Sequence, residues 1–393
     1  MATLWQRFFL IIFVLLGLQQ VQAQVWAHSS TQFWNEKTET RFSKWVENDV
    51  QTHLLSHPGM FYSGLKIDCA DLHYLLRIIF SYENGLEFAI NDPHSAREVI
   101  SSLSPGWNKY KNPNERLRQF TRYVLDVTST QTLPNDTVLI GMDSKSIRPG
   151  VVLLGDLRRG HSMIIKKINP SGVPVLYYAS LPASEFIYIG YHFPEARGYF
   201  PMGPITVARG GGLRRFRWLQ DLKKETKTIS YSSESQIFAS ENLDEYFEHV
   251  QTLVRVKPRT ADDTLNYLMD DLCSQMRVRV NAITDAVRFV SRTNARRMSA
   301  SEDDRFSTYK RDENIVQLIK QLERQRERLD ANLTTVAKKR YQRVFEPEGT
   351  TADECLVDWA VNRIEPLGWL VVRFKNQQIS SRANDTLARR WGL

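Results

Sequence analysis

The sequence predicts an α+β fold, and three changes of texture along the chain carry that prediction. Apolar residues recur at helical spacing between residues 42 and 82, short apolar runs separated by turns begin at Val138, and helical periodicity returns at Leu243 and persists. A helix followed by a mostly antiparallel sheet is therefore expected in the N-terminal part, and a helical region in the C-terminal part. The 393 residues divide accordingly into a leader at 1–23, a helix-then-sheet domain at 24–215, and a helical elaboration or second domain at 216–393.

The leader combines Arg7, an apolar stretch at 8–18 and the small-residue ending Val21-Gln22-Ala23, which is the pattern of a secretory signal peptide cleaved after Ala23. Its apolar core is shorter than the ~20 residues that a bilayer span needs. No later segment is apolar enough to cross, so the mature chain is expected to be exported, periplasmic or secreted, without a transmembrane span.

The elements follow in order. An amphipathic helix is expected over 42–55 and is stopped by His57-Pro58-Gly59. An extended segment at 61–67 leads to Asp68-Cys69-Ala70-Asp71-Leu72 and a buried helix that reaches about residue 82 and ends at Asn84-Gly85. Residues 96–128 read as two helical pieces broken near Pro105-Gly106 and Pro113. Strands are expected at 138–140, 151–154, 161–168, 175–178 and 186–189. A polar, serine-rich stretch at 230–240 marks a soft boundary. Helices then follow at 243–254, 261–290, 312–344 and 352–364, with capping-box starts at 260–263 and 351–354.

Net charge is +8, which favours anionic partners such as wall polymers or lipid head groups. Arg214, Arg215, Arg217, Lys223 and Lys224 form one basic cluster, equally readable as the rim of a linker. Export and the lack of any zinc-finger or RNA-binding pattern argue against nucleic acid. Of three cysteines, Cys273 and Cys355 are the only pair left for a disulfide in an oxidising compartment once Cys69 is set aside. Cys69 is then an odd thiol, either a small buried apolar residue or a nucleophile.

The chemistry of Cys69 follows from its place. A helix start carries partial positive charge and free N–H groups, so it should favour thiolate over thiol and donate to an oxyanion. Gly160-His161-Ser162 sets a histidine at the start of an apolar strand, where a partner imidazole belongs. His73, one helical turn after Cys69, is the rival base. The strand after His161 offers no His, Asn, Asp or Gln as a third residue. Tyr178 takes the nearest equivalent position, with Ser180 two residues on and on the same face.

These residues resemble the papain-like thiol hydrolases, in particular NlpC-type cell-wall amidases and the bacterial transglutaminase-like cysteine proteases. Asp68-Cys69, Pro149-Gly150-Val151 and His161 are similar to the first group; Cys69, Asp71, Leu75, Leu76 and Gly85-Leu86 are similar to the second. The resemblance covers about residues 61–182. It implies a papain-like N-terminal domain and an exported cysteine hydrolase cleaving an amide bond of a peptide or peptidoglycan-like substrate. It also implies that Cys69 is the nucleophile and His161 the base, with Tyr178 or Ser180 orienting the imidazole, Tyr62 as an oxyanion donor and Asp68 ordering the loop before the nucleophile. The alternative is a non-catalytic papain-like scaffold that binds or supports the cell envelope.

No cofactor is called for. His53 and His57 have ligand spacing, but Leu54 stands where a zinc protease needs Glu, and Pro58 disfavours helix at His57, so no metal site is expected. Gly210-Gly211-Gly212 lacks the Lys-Ser or Lys-Thr of a phosphate loop. The half after residue 215 carries no recognisable chemistry, and the sequence assigns no oligomeric state.

Overall fold

A computed structural model describes residues 24–155, 161–179, 183, 185, 187–190, 211–229, 243–294, 296–345, 355–360 and 363–393. The signal segment 1–23, Ser180, the boundary stretch 230–240 and the capping sequence 351–354 lie outside the described residues.

Helix α1 (Glu36–Asn48) starts earlier than its apolar face suggests, because Asn35 accepts from the Thr38 N–H at 3.0 Å and Glu36 and Glu39 occupy the first turn. Past its last turn, the buried Lys166 ammonium donates to the carbonyls of Val46, Glu47 and Val50. One side chain thus serves the carbonyls that a helix end leaves unmatched. Helix α2 (Asp71–Glu83) ends at Asn84 and Gly85, whose φ of +61° is the left-handed conformation that glycine adopts without strain. Residues 71–81 of α2 are all buried. Its Arg77 makes two 2.8 Å bonds to Glu39 of α1 and lies 3.2 Å from the centre of the Trp34 ring.

The expected helix beginning at residue 96 is a strand. Strands β1 (Ala89–Asp92) and β2 (Ser95–Ser101) form a hairpin with Ile90 opposite Ile100. Pairing and the burial of those isoleucines override the helix-forming Ala96-Arg97-Glu98. The second expected piece does form as α3 (Pro113–Val127), opened by Asn112 and Pro113.

After the short α4 (Leu133–Asp136) come β3 (Thr137–Leu139), β4 (Val152–Leu154), β5 (Ser162–Ile168), β6 (Pro174–Tyr178), β7 (Tyr188–Gly190) and β8 (Gly212–Phe216). They form a six-stranded sheet in the order β3-β8-β4-β5-β6-β7, antiparallel throughout. The architecture is mixed α+β. Strand β8 corrects the linker-rim alternative for the basic cluster: Arg214 is buried inside the sheet, its Nε donating to Thr137 Oγ1 at 2.7 Å, and Arg217 donates to Lys224 O and Thr226 Oγ1.

The pleat divides the sheet's side chains into two cores. Val152, Leu154, Ile164 and Tyr177 join α1, α2 and α3; Leu153, Met163, Leu176 and Tyr178 join α5 (Leu243–Val254) and Val278 of α6 (Ala261–Arg292). The β5–β6 turn reaches α5 so closely that a Cβ on Gly172, at φ +81°, would stand 2.2 Å from the Gln251 carbonyl oxygen.

Helix α6 opens with the expected capping box, Thr260 and Asp263 exchanging 3.0 Å bonds. Beyond it lie α7 (Ala300–Phe306), α8 (Tyr309–Leu329) and α9 (Thr335–Phe345), so the helix expected over 312–344 is broken in two. The helix expected over 352–364 is instead a hairpin of β9 (Leu356–Ala360) and β10 (Arg363–Pro366), followed by α10 (Leu367–Lys375) and α11 (Leu387–Arg390). Cys273 of α6 and Cys355 ahead of β9 are disulfide-bonded across 82 residues of sequence. No helix among the described residues is long and apolar enough to cross a membrane.

Two stability measurements follow. Replacing Cys273 and Cys355 by serine should lower unfolding free energy by on the order of 2–4 kcal/mol in urea titration, because the bridge restricts a long loop of the unfolded chain; equal midpoints would show that the bridge contributes nothing. Glu39→Gln should cost about 3–5 kcal/mol, since it leaves Arg77 buried without its counter-charge. A loss below ~1 kcal/mol would mean that the ring contacts alone hold Arg77.

Candidate active site around Cys69

The turn ahead of α2 is set by two carboxylates. Asp68 Oδ1 accepts from the N–H groups of Ala70 at 2.9 Å and Asp71 at 3.2 Å, and Asp71 Oδ2 accepts from the Asp68 N–H at 2.9 Å. This reciprocal cap orders the segment carrying Cys69, as expected of Asp68. Ala70 is already helical at φ −78°, ψ −41°, and the Leu72 N–H reaches the Asp68 carbonyl at 3.3 Å. Cys69 and His73 are thus four residues apart on a continuous helical path.

Cys69 is 7% exposed. Its partner from the sheet is Ser162, whose hydroxyl donates to the Cys69 carbonyl at 2.9 Å. The Ser162 N–H and the Ala70 N–H, the latter bound to Asp68 Oδ1, favour the thiolate, yet the thiol does not become acidic. Burial and the nearby Asp68 charge, with Asp71 adding to them, push it up to about 11 against the pull of those two N–H groups. The expectation of a lowered thiol is corrected: the dipole of the helix start loses to desolvation and two carboxylates. Asp71 is itself pushed up to about 7 by burial and by Asp68.

His161 precedes β5 and is half-buried, and desolvation pushes it down to about 4. Its ring meets Tyr178 edge to face, with centroids 5.8 Å apart. Strand alternation sets Ile164 in the α2 core and Met163 and Tyr178 in the α6 core, while His161, just ahead of β5, lies close enough to α2 for its charge to act on His73. The structure thus brings His161 and Tyr178 together and sets the residue next to His161 against Cys69. Tyr178 is 1% exposed, and its hydroxyl lies 3.5 Å from Gln275 Nε2.

Tyr62 is placed elsewhere. It is buried, the charge of Glu83 helps burial raise its hydroxyl above the ordinary value, and its neighbour Phe61 packs on Tyr82. Glu83 and Tyr82 close α2, about 18 Å of helix from Asp71. Tyr62, expected as an oxyanion donor, thus lies toward the C-terminal end of α2. Sequence reasoning missed Ser162, whose signal was adjacency to His161, and Gln275, for which no local signal exists.

His73 is fully buried, neither ring nitrogen has a hydrogen-bond partner, and burial followed by the His161 charge pushes it down to about 3. His53 and His57 are exposed, flank the short 3₁₀ turn Leu54–Ser56, and stand 5.2 Å apart between ring centres. Among the described residues no group of three or more metal-ligand side chains is assembled. At neutral pH the site therefore holds a protonated thiol, two neutral imidazoles and two backbone donors.

That charge state has a consequence for acid stability. His73 resists protonation in the native chain down to about pH 3, whereas the unfolded chain takes that proton near 6.5. Between those values the unfolded state binds more protons, so stability is lost as the pH falls, and His161 acts in the same direction. His73→Leu should flatten this limb, retaining up to about 3 kcal/mol between pH 6.5 and 4 in urea titrations. Parallel limbs in the two proteins would show that His73 titrates normally.

Compared with known proteins, the chain matches no family model, no curated protein and no solved structure.

Proposed function

We propose that the chain is an exported cysteine hydrolase of papain-like type that cleaves an amide bond in a peptide or peptidoglycan-like substrate. The observation that carries this reading is the bond from the Ser162 hydroxyl to the Cys69 carbonyl, which sets the start of β5 against the mouth of α2, with His161 next in sequence to Ser162. Nucleophile, oxyanion donors and imidazole thus come from one helix start and one strand start. The Cys273–Cys355 bridge supports an oxidising compartment, and the excess positive charge suits an anionic wall.

In this reading the resting dyad is neutral, so the thiol is activated only as it reacts. Sγ attacks the carbonyl carbon while its proton passes to His161, and the carbonyl π pair moves to oxygen under the backbone donors. The imidazolium then protonates the leaving nitrogen as the C–N bond breaks, leaving a thioester. Water, deprotonated by His161, releases the carboxylic acid and restores the thiol. Asp68 holds the turn, and Tyr178 fixes the imidazole.

A second reading, the non-catalytic envelope scaffold, is favoured by one observation: the thiol is pushed up to about 11. One set of measurements separates the two. The enzyme reading expects Cys69→Ala to abolish hydrolysis of muropeptide or peptide amides and His161→Ala to reduce it by about 10²-fold or more. In both readings iodoacetamide labelling of Cys69 climbs through pH 9 without a plateau near 7. Equal turnover in wild type and Cys69→Ala would leave the scaffold.

A further inference from the structure

The helical C-terminal region reaches the site through three consecutive residues of α6. Cys273 is bridged to Cys355, Ser274 donates to the Ile189 carbonyl of β7, and Gln275 donates to the Tyr178 hydroxyl. One residue ties the helix to the C-terminal hairpin, the next to the sheet edge, and the third to the residue whose ring lies against His161. Gln275 is 3% exposed. A primary amide at such depth loses its water and calls for internal partners, where leucine would have needed none. Tyr178, the last residue of β6, is equally buried, and Tyr188 of β7 packs on it at 5.5 Å between ring centres.

We propose that Gln275 is a positioning residue for this site: by holding the Tyr178 hydroxyl it fixes the ring against which the His161 imidazole is set. The proposal rests on the hydrolase reading for its consequence in catalysis, though not for its geometry. It gives the C-terminal region a part in the site, supplying from a helix the support that the strand after His161 does not carry. Anchored at its oxygen by an element tied to the sheet, the phenol holds the imidazole in one rotamer.

Two readouts test this, one of them independent of activity. NMR spectra of His161 should show one sharp set of imidazole ring signals in the wild type at pH 7 and broadened or doubled signals in Gln275→Leu. Tyr178→Phe, which removes only the hydroxyl, should reproduce the change and serves where Gln275→Leu does not fold. On an amide substrate each variant should lose about threefold to tenfold in kcat with KM unchanged, and the double variant should be no worse than either single one, since both cut the same link. An unchanged His161 spectrum together with wild-type kcat in Gln275→Leu would overturn the proposal, as would additive losses in the double variant. If Cys69→Ala left turnover intact while the His161 spectrum still responded to Gln275→Leu, the hydrolase reading would fall and the positioning link would stand.

Discussion

A helix without a solvent face must find an internal partner for every polar side chain it carries, and α2 is such a helix. Its residues 71–81 are buried, and among them stand Asp71, His73, Tyr74, Arg77 and Ser81. The neighbouring elements can be understood as answers to that demand. Arg77 takes Glu39 from α1; burial alone would raise the Glu39 carboxyl, and the Arg77 charge and hydrogen bonds hold it below its ordinary value. Tyr74 gives its hydroxyl to Asp136 at the foot of β3 at 2.9 Å, and Asp136 accepts from the Asn91 N–H of β1 at 2.8 Å. Asp71 turns back on the Asp68 N–H. His73 and Ser81 keep polar atoms without a hydrogen-bond partner, a cost of ~1–3 kcal/mol for each buried group.

The same demand shapes the chemistry. A thiol at the start of an exposed helix would gain from the dipole and from water; at the start of α2 it gains from neither to the extent needed, because the turn that orders it uses two carboxylates and the surrounding core excludes solvent. The segment that makes Cys69 well placed also keeps its proton on. In the proposed hydrolase, catalysis would depend on proton transfer during attack rather than on a stored thiolate, and so on how firmly the imidazole is held.

Much of this was legible in the sequence where the signal was local. The start and end of α2 are written in Asp68, Asp71 and Gly85, the cap of α6 in Thr260 and Asp263, and five of the six sheet strands in short apolar runs. Strand β8 was hidden because its arginines look like surface; the Thr137 hydroxyl and carbonyl, 77 residues away in sequence, are among the partners that make Arg214 a core residue. The hairpin β9–β10 did carry a period-two signal, with Val357 and Trp359 buried and Leu356 and Asp358 exposed, which the helical texture around it masked. In the site, the pairing of Cys69 with the start of β5 and of His161 with Tyr178 could be anticipated from chain order. Ser162 could be reached only through its adjacency to His161, and Gln275 could not be reached at all, since a contact across 97 residues leaves no trace in a local pattern.

The position of β8 sets an order of assembly. Strand β3 hydrogen-bonds to β8 alone, and β8 lies between β3 and β4. While the ribosome makes the chain at roughly 5–20 residues per second, β3 waits several seconds for its neighbour, and the hairpin β4–β5 is left with an open edge. Loop closure over that distance comes before any reward from pairing, so this sheet is completed late and slowly. A nascent chain in that condition is unfinished, and its open strand edges stay available for pairing with other chains until β8 arrives.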